Sequence, residues 1–158
     1  MITPLELLEH SQALYAQPDK NEVVLRNVAR NSYYALFHKL GECQGLPNLE
    51  TKKKDFGSHE VLIQRLRKSD NESYREWGLE LSKLKLKRTK ADYNLSRRFS
   101  DDDARKSIKV TQKIFEAMSS SRQEGIDEQE NTNVLFDGCD QTKDESIKPC
   151  QPQLKVVK

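Results

Sequence analysis

Cysteine is scarce in this chain, and long apolar runs and strand signals are missing. Three cysteines occur in 158 residues. Cys43, Cys139 and Cys150 are widely spaced and odd in number, so they build neither a disulfide framework nor a CxxC pair. His10, His38 and His59 stand at no metal-ligand spacing from them, and no metal is expected. No stretch approaches the roughly 20 apolar residues of a membrane-spanning helix. The opening "MITPLELLEH" has no basic segment leading into a long apolar run. No signal peptide is therefore expected, and the expected compartment is the cytoplasm. G-x-S-x-G, P-loop, G-x-G-x-x-G and H-E-x-x-H are all absent, which removes the common nucleophile, nucleotide-cofactor and zinc-protease routes. No cofactor is expected.

What is present is charge. Charged residues make up 33% and hydrophobic residues 35%, which suits one modest domain with a small core. The net charge of +2 is uneven. Residues 120–158 carry 5 basic and 8 acidic side chains, whereas residues 1–119 carry 22 and 17. A mildly basic body with an acidic tail permits RNA binding without requiring it.

The apolar periodicity is helical throughout. Thr3 is placed to cap a first helix with Pro4 in its first turn, and Pro18 ends it. A second helix is expected from Asn21 to Cys43. Leu25, Ala29, Ser32, Leu36 and Leu40 form one stripe, and Val24, Val28, Asn31 and Ala35 another. Two stripes make this the central helix. "GECQGLPN" (41–48) reads as a loop. Ser58 is expected to cap a short third helix with Leu62, Ile63 and Leu66 inward. The fourth runs from Glu72 to Leu95. There "KLKLK" (83–87) imitates a strand, but Trp77, Leu81, Leu84, Ala91 and Leu95 keep helical spacing across it. Ser100 caps the fifth helix, and Asp101, Asp102 and Asp103 complement its N-terminal dipole. Its stripe is Ala104, Ile108, Thr111, Phe115 and Met118. The expectation is an all-α, four- to five-helix up-and-down bundle over 1–119. A polar, mostly disordered tail over 120–158 is expected to follow. Within it "NVLF" (133–136) is the one apolar cluster able to dock elsewhere.

Two segments break the pattern. Arg88 falls on the buried stripe of the fourth helix, where an unpaired charge costs several kcal/mol. Asp92, one turn on, is a ready partner. The pair reads either as an intrahelical salt bridge or as part of a cationic site. In "RNSYYALFHKL" (30–40), Arg30, Tyr34 and His38 recur every four residues. A cation, a phenol and an imidazole on one drifting face can hold a phosphate and move protons near neutral pH. They can equally form the wet edge of an amphipathic helix. His59, beside Leu62, Ile63 and Leu66, reads as a core or cap-adjacent histidine. Lys83, Lys85, Lys87, Lys90, Arg97 and Arg98 make a solvated face or a phosphate-contacting one.

Taken together, "RNSYYALFHKL", "SHEVLIQRL" and "RTKADYNL" with a final amphipathic helix resemble the HEPN superfamily. The match is to its small stand-alone prokaryotic branch, with its R-x-x-YYA-x-FH and R-x-x-ADY segments, over roughly residues 5–118. The resemblance implies a helical bundle, commonly a homodimer. Its members include metal-independent endoribonucleases, nucleotide binders and partners of small nucleotidyltransferases in toxin–antitoxin and defence systems. The family's nuclease motif is an arginine followed four to six residues later by a histidine. Arg88 matches the arginine, but Tyr93 stands where the shortest motif has histidine. Leu95 stands where nucleotidyltransferase-paired toxins carry a modified tyrosine. The resemblance thus implies a catalytic set of Arg30, His38, Arg88 and Tyr93, with Asn31, Tyr34 and Asp92 binding substrate. The alternative it implies is a non-catalytic nucleotide- or partner-binding module.

Overall fold

The structure is a computed structural model that describes residues 1–49 and 57–127, with side chains through residue 120. Five helices follow in order: α1 (Pro4–Ala16), α2 (Glu22–Gly41), α3 (Ser58–Arg67), α4 (Glu72–Tyr93) and α5 (Asp101–Asp127). No strand occurs among the described residues. The chain is an all-α bundle, as its periodicity predicts.

Local chemistry starts most of the helices. The Thr3 side chain accepts from the Glu6 amide while Glu6 reaches back to the Thr3 amide, a reciprocal cap. Asn21 accepts from Val24 N, Asn71 from Tyr74 N, and Ser100 from Asp103 N. The third helix departs from expectation. Gly57 occupies its cap position without a side-chain bond, and Ser58 is already its first residue. Ser58 therefore has no capping role.

The helix ends are also corrected. The second helix stops at Gly41 rather than Cys43. The fourth stops at Tyr93, and Leu95 lies exposed beyond it. The reason is Arg26 of α2. Its Nη1 donates to the carbonyls of Lys90 and Ala91, and its Nη2 donates to Arg97 O at 2.6 Å. The last carbonyls of α4 thus find their donors in another helix and need no further turn. Glu22 completes the clamp by accepting from Arg26 and from the Phe99 amide. At the other end of the chain, α5 continues past residue 119 to Asp127. Apolar periodicity stops there, but Ser, Arg, Gln and Glu sustain a helix without it. The tail beyond Asp127, with "NVLF", Cys139 and Cys150, lies outside the described residues. Cys43 is partly buried against the larger core cluster.

The central helix is α2, which touches α1, α4 and α5, while α3 packs on α4. The larger core cluster joins Leu8, Tyr33, Leu36, Leu40, Ile63, Leu66, Leu81, Leu84 and Phe115. A smaller one gathers Leu25, Val28, Ala29, Ala91, Phe99 and Ala104 at the α4–α5 turn. Polar members of the stripes are satisfied. Ser11 Oγ donates to Val28 O and lies 2.7 Å from Ser32 Oγ, and Thr111 donates to Ser32 O.

The α3–α4 crossing depends on Gly78. A Cβ there would stand 2.9 Å from Leu66 Cβ and 3.2 Å from the Arg67 amide nitrogen. Gly78→Val is expected to destabilise the fold by about 2–3 kcal/mol, because the bulk must displace backbone as well as a side chain. Thermal unfolding followed by circular dichroism measures it, and an unchanged Tm would contradict this account of the crossing.

Candidate functional site

The seam between α2 and α4 gathers most of the residues singled out in the sequence. The antiparallel run of the two helices sets Arg30 beside Asp92 and Tyr34 beside Arg88. Asp92 is the hub. Its Oδ1 accepts from Arg30 Nε at 3.0 Å, and its Oδ2 lies 2.9 Å from Arg88 Nε. The two contacts differ in kind. The Arg30 contact is an aligned hydrogen bond. Arg88 Nε, buried, is off the hydrogen-bond line and is held by charge alone. Arg88 is aligned instead toward Tyr34, whose hydroxyl accepts from Nη2 at 2.6 Å.

Burial disfavours the charge on Arg88, but the Tyr34 hydroxyl and Asp92 more than offset it, so its pKa stands above the ordinary arginine value. Two aromatic rings flank the guanidinium. The Tyr34 ring centre is 5.3 Å from Cζ and that of Tyr93 is 5.4 Å. One carboxylate therefore serves two guanidinium groups. The Arg88 side chain is 19% exposed, Asp92 14% and Arg30 49%. The group is a net cation at the surface, with Arg30 as its wet edge.

The intrahelical salt bridge exists, and so does an inter-helix cationic cluster built on it.

Other expected members stand further off. His38 is exposed and makes no hydrogen bond among the described residues. Its ring lies 6.3 Å from that of Tyr34 and 5.3 Å from that of Phe37. Four-residue spacing drifts by about 40° per step, so His38 reaches the rim of the cluster rather than its centre. Asn31 is about 100° round the helix from Arg30. Among the described residues it bonds to neither arginine nor to Asp92.

No known family model, curated protein or solved structure matches this chain.

The structure adds residues that spacing did not supply. His59, at the start of α3, packs against the Phe37 ring at 4.3 Å and the Tyr34 ring at 5.9 Å. Its Nδ1 is 2.8 Å from the hydroxyl of fully buried Tyr33. Burial, then the positive charges of Arg88, Lys85 and His38, hold its pKa below the ordinary histidine value. Burial likewise pushes the Tyr33 phenol up to about 12. Next to it, Lys85 pairs with Glu60 at 2.6 Å. The only sequence signal was a histidine on the apolar face of a short helix. That is ambiguous, because nothing in spacing reports which side chain of α2 it meets.

The three aspartates have structural employment. Asp101 accepts from the Tyr15 hydroxyl, Asp102 pairs with Arg105 and Lys106, and Asp103 pairs with Lys90. Among the described residues no group of three or more metal-ligating side chains comes together, and no helix is long and apolar enough to cross a membrane.

Proposed function

We propose that this chain is a HEPN-type component of a defence or toxin–antitoxin system that binds RNA phosphate at the α2–α4 seam and cleaves it without a metal ion. One observation carries the reading: Arg30 and Arg88 share a single carboxylate, Asp92, at a half-exposed surface. That leaves a net positive charge with guanidinium geometry suited to phosphate oxygens. In this reading Arg88 and Arg30 stabilise charge developing on the phosphate, and exposed His38 exchanges a proton with the 2′-hydroxyl or leaving oxygen. Tyr34 orients Arg88, and Tyr93 lies over it where a base would stack. The test is incubation of purified full-length protein with RNA in EDTA. Cleavage is expected, with affinity falling steeply as salt rises. Cleavage only on addition of a divalent metal would overturn the mechanism.

The reading includes a homodimer. Leu79, Leu86 and Tyr93 are exposed on the outer face of α4 at seven-residue spacing, the repeat of a helix–helix seam. This stripe runs up to Arg88 and Tyr93, so a two-fold partner there would stand beside the cationic cluster. Sedimentation at micromolar concentration is expected to give about twice the 18.3 kDa chain mass, and Leu86→Glu is expected to give a monomer.

A second reading rests on a different observation. Among the described residues no histidine hydrogen-bonds to either arginine, and Asp92 occupies the faces of both that a phosphate would use. A non-catalytic module that binds a nucleotide, or docks a nucleotidyltransferase partner, needs only the cationic cluster. RNA or nucleotide binding without any cleavage distinguishes it.

A further inference from the structure

We propose that His59 is a further phosphate-contacting residue, presenting its Nε2–H as a hydrogen-bond donor beside Arg88. The inference rests on the phosphate-binding reading above and adds a residue from a third helix to it.

Tyr33 sets the tautomer of the His59 ring. Its hydroxyl is buried, and His59 Nδ1 at 2.8 Å is its one hydrogen-bond partner among the described residues. A buried O–H without an acceptor is costly. Tyr33 therefore donates, and Nδ1 accepts. An imidazole that accepts at Nδ1 while neutral must carry its proton at Nε2. Protonating the ring would put a hydrogen on both nitrogens and strand the Tyr33 hydroxyl proton. The surrounding charges act the same way. Arg88 and Lys85 from α4 and His38 from α2 bear on the ring, and burial adds to them. Its nearest carboxylate neighbour along α3, Glu60, is bound to Lys85 and Gln64. His59 is thus a neutral imidazole with a fixed tautomer.

Position follows from packing. The ring is wedged among Tyr33, Tyr34 and Phe37, with centroids at 5.6, 5.9 and 4.3 Å. Tyr34 is also the residue whose hydroxyl holds Arg88. His59 and Arg88 therefore lie against one phenol, on adjoining helices. With Nδ1 turned inward to Tyr33, Nε2 lies on the diverging edge of the ring and has no hydrogen-bond partner among the described residues. A neutral donor suits this place. It adds a directed hydrogen bond to an anion without adding repulsion to a cluster that already holds two guanidinium groups and Lys85.

The experiment is a phosphate titration of the full-length chain followed by NMR of the histidine rings and arginine Nε–H groups. The probe is inorganic phosphate, repeated with 5′-AMP and a short RNA to separate a free anion from a nucleic-acid backbone. Before phosphate is added, His59 is expected to show the Nε2–H tautomer at neutral pH. Phosphate is expected to move the His59 and Arg88 signals together. His59→Ala is expected to weaken phosphate binding about tenfold, the loss of one hydrogen bond to a charged group. His59→Gln, whose amide nitrogen can take the place of Nε2, is expected to restore most of it. Tyr33→Phe is expected to release the tautomer and weaken binding less. If phosphate moves Arg88 while His59 stays still, or if His59→Ala binds like wild type, the proposal is wrong and the phosphate reading stands. If neither residue responds to any of the three probes, both are wrong.

Discussion

His38→Ala is expected to lower metal-independent RNA cleavage by about 10²–10⁴-fold, the usual contribution of a positioned general acid or base. The fold is expected to be untouched. Among the described residues, exposed His38 forms no hydrogen bond and meets Tyr34 and Phe37 through ring faces and edges. Its removal strands no charge and opens no buried cavity. RNA affinity is also expected to hold, since Arg30 and Arg88 remain. The readout is single-turnover cleavage in EDTA beside a melting curve. Cleavage that persists in His38→Ala would place the chemistry on another group, with His59 next in line. A wild type that binds RNA and never cuts it would favour the binding module.

Asp92→Ala is expected to be the most damaging single change at the α2–α4 seam, at about 2–3 kcal/mol. Breaking a well-buried ion pair costs about 3–5 kcal/mol, and the partial exposure of this one reduces that. The reason for the ranking is that Asp92 is shared. Without it Arg30 and Arg88 face each other uncompensated, and Arg88 Nε is already buried without an aligned acceptor. Arg88→Ala is expected to cost less, because Asp92 keeps its hydrogen bond to Arg30. Within α4 alone Asp92 would have one partner and lose it; Arg30 from α2 supplies the second. Function is expected to divide the other way. Arg88→Ala should reduce RNA affinity and flatten its salt dependence by about one charge. Asp92→Ala, at a temperature where it stays folded, should bind RNA more tightly. Melting curves and binding isotherms on the two variants check both halves. Equal stability losses would show that Asp92 is not the hub described.

What could be foreseen in this chain followed from interactions that close within a turn or two of helix. The caps at Thr3 and Ser100 were legible because a side chain bonds to an amide three residues on. The Arg88–Asp92 contact was legible because residues four apart on a helix are neighbours. The apolar stripes of α2 identified it as the central helix, and it is. The places where expectation failed have a common cause. Leu95 continues the stripe of α4 in number but not in space, because Arg26 ends the helix from outside. Ser58 has the right chemistry for a cap, yet the chain enters α3 one residue earlier.

The sequence by itself determined that this protein is all helical, where most of the helices begin, and which faces they bury. Those properties come from 3.6-residue periodicity and from short-range capping bonds, both written in consecutive residues. Tertiary structure alone decided that Arg30 reaches Asp92, that His59 closes on Tyr33, and that Tyr34 stands between His59 and Arg88. Those meetings join residues 25 to 62 positions apart. They depend on how far each helix is rotated and slid against its neighbour, and that is settled by the close packing of the whole core at once.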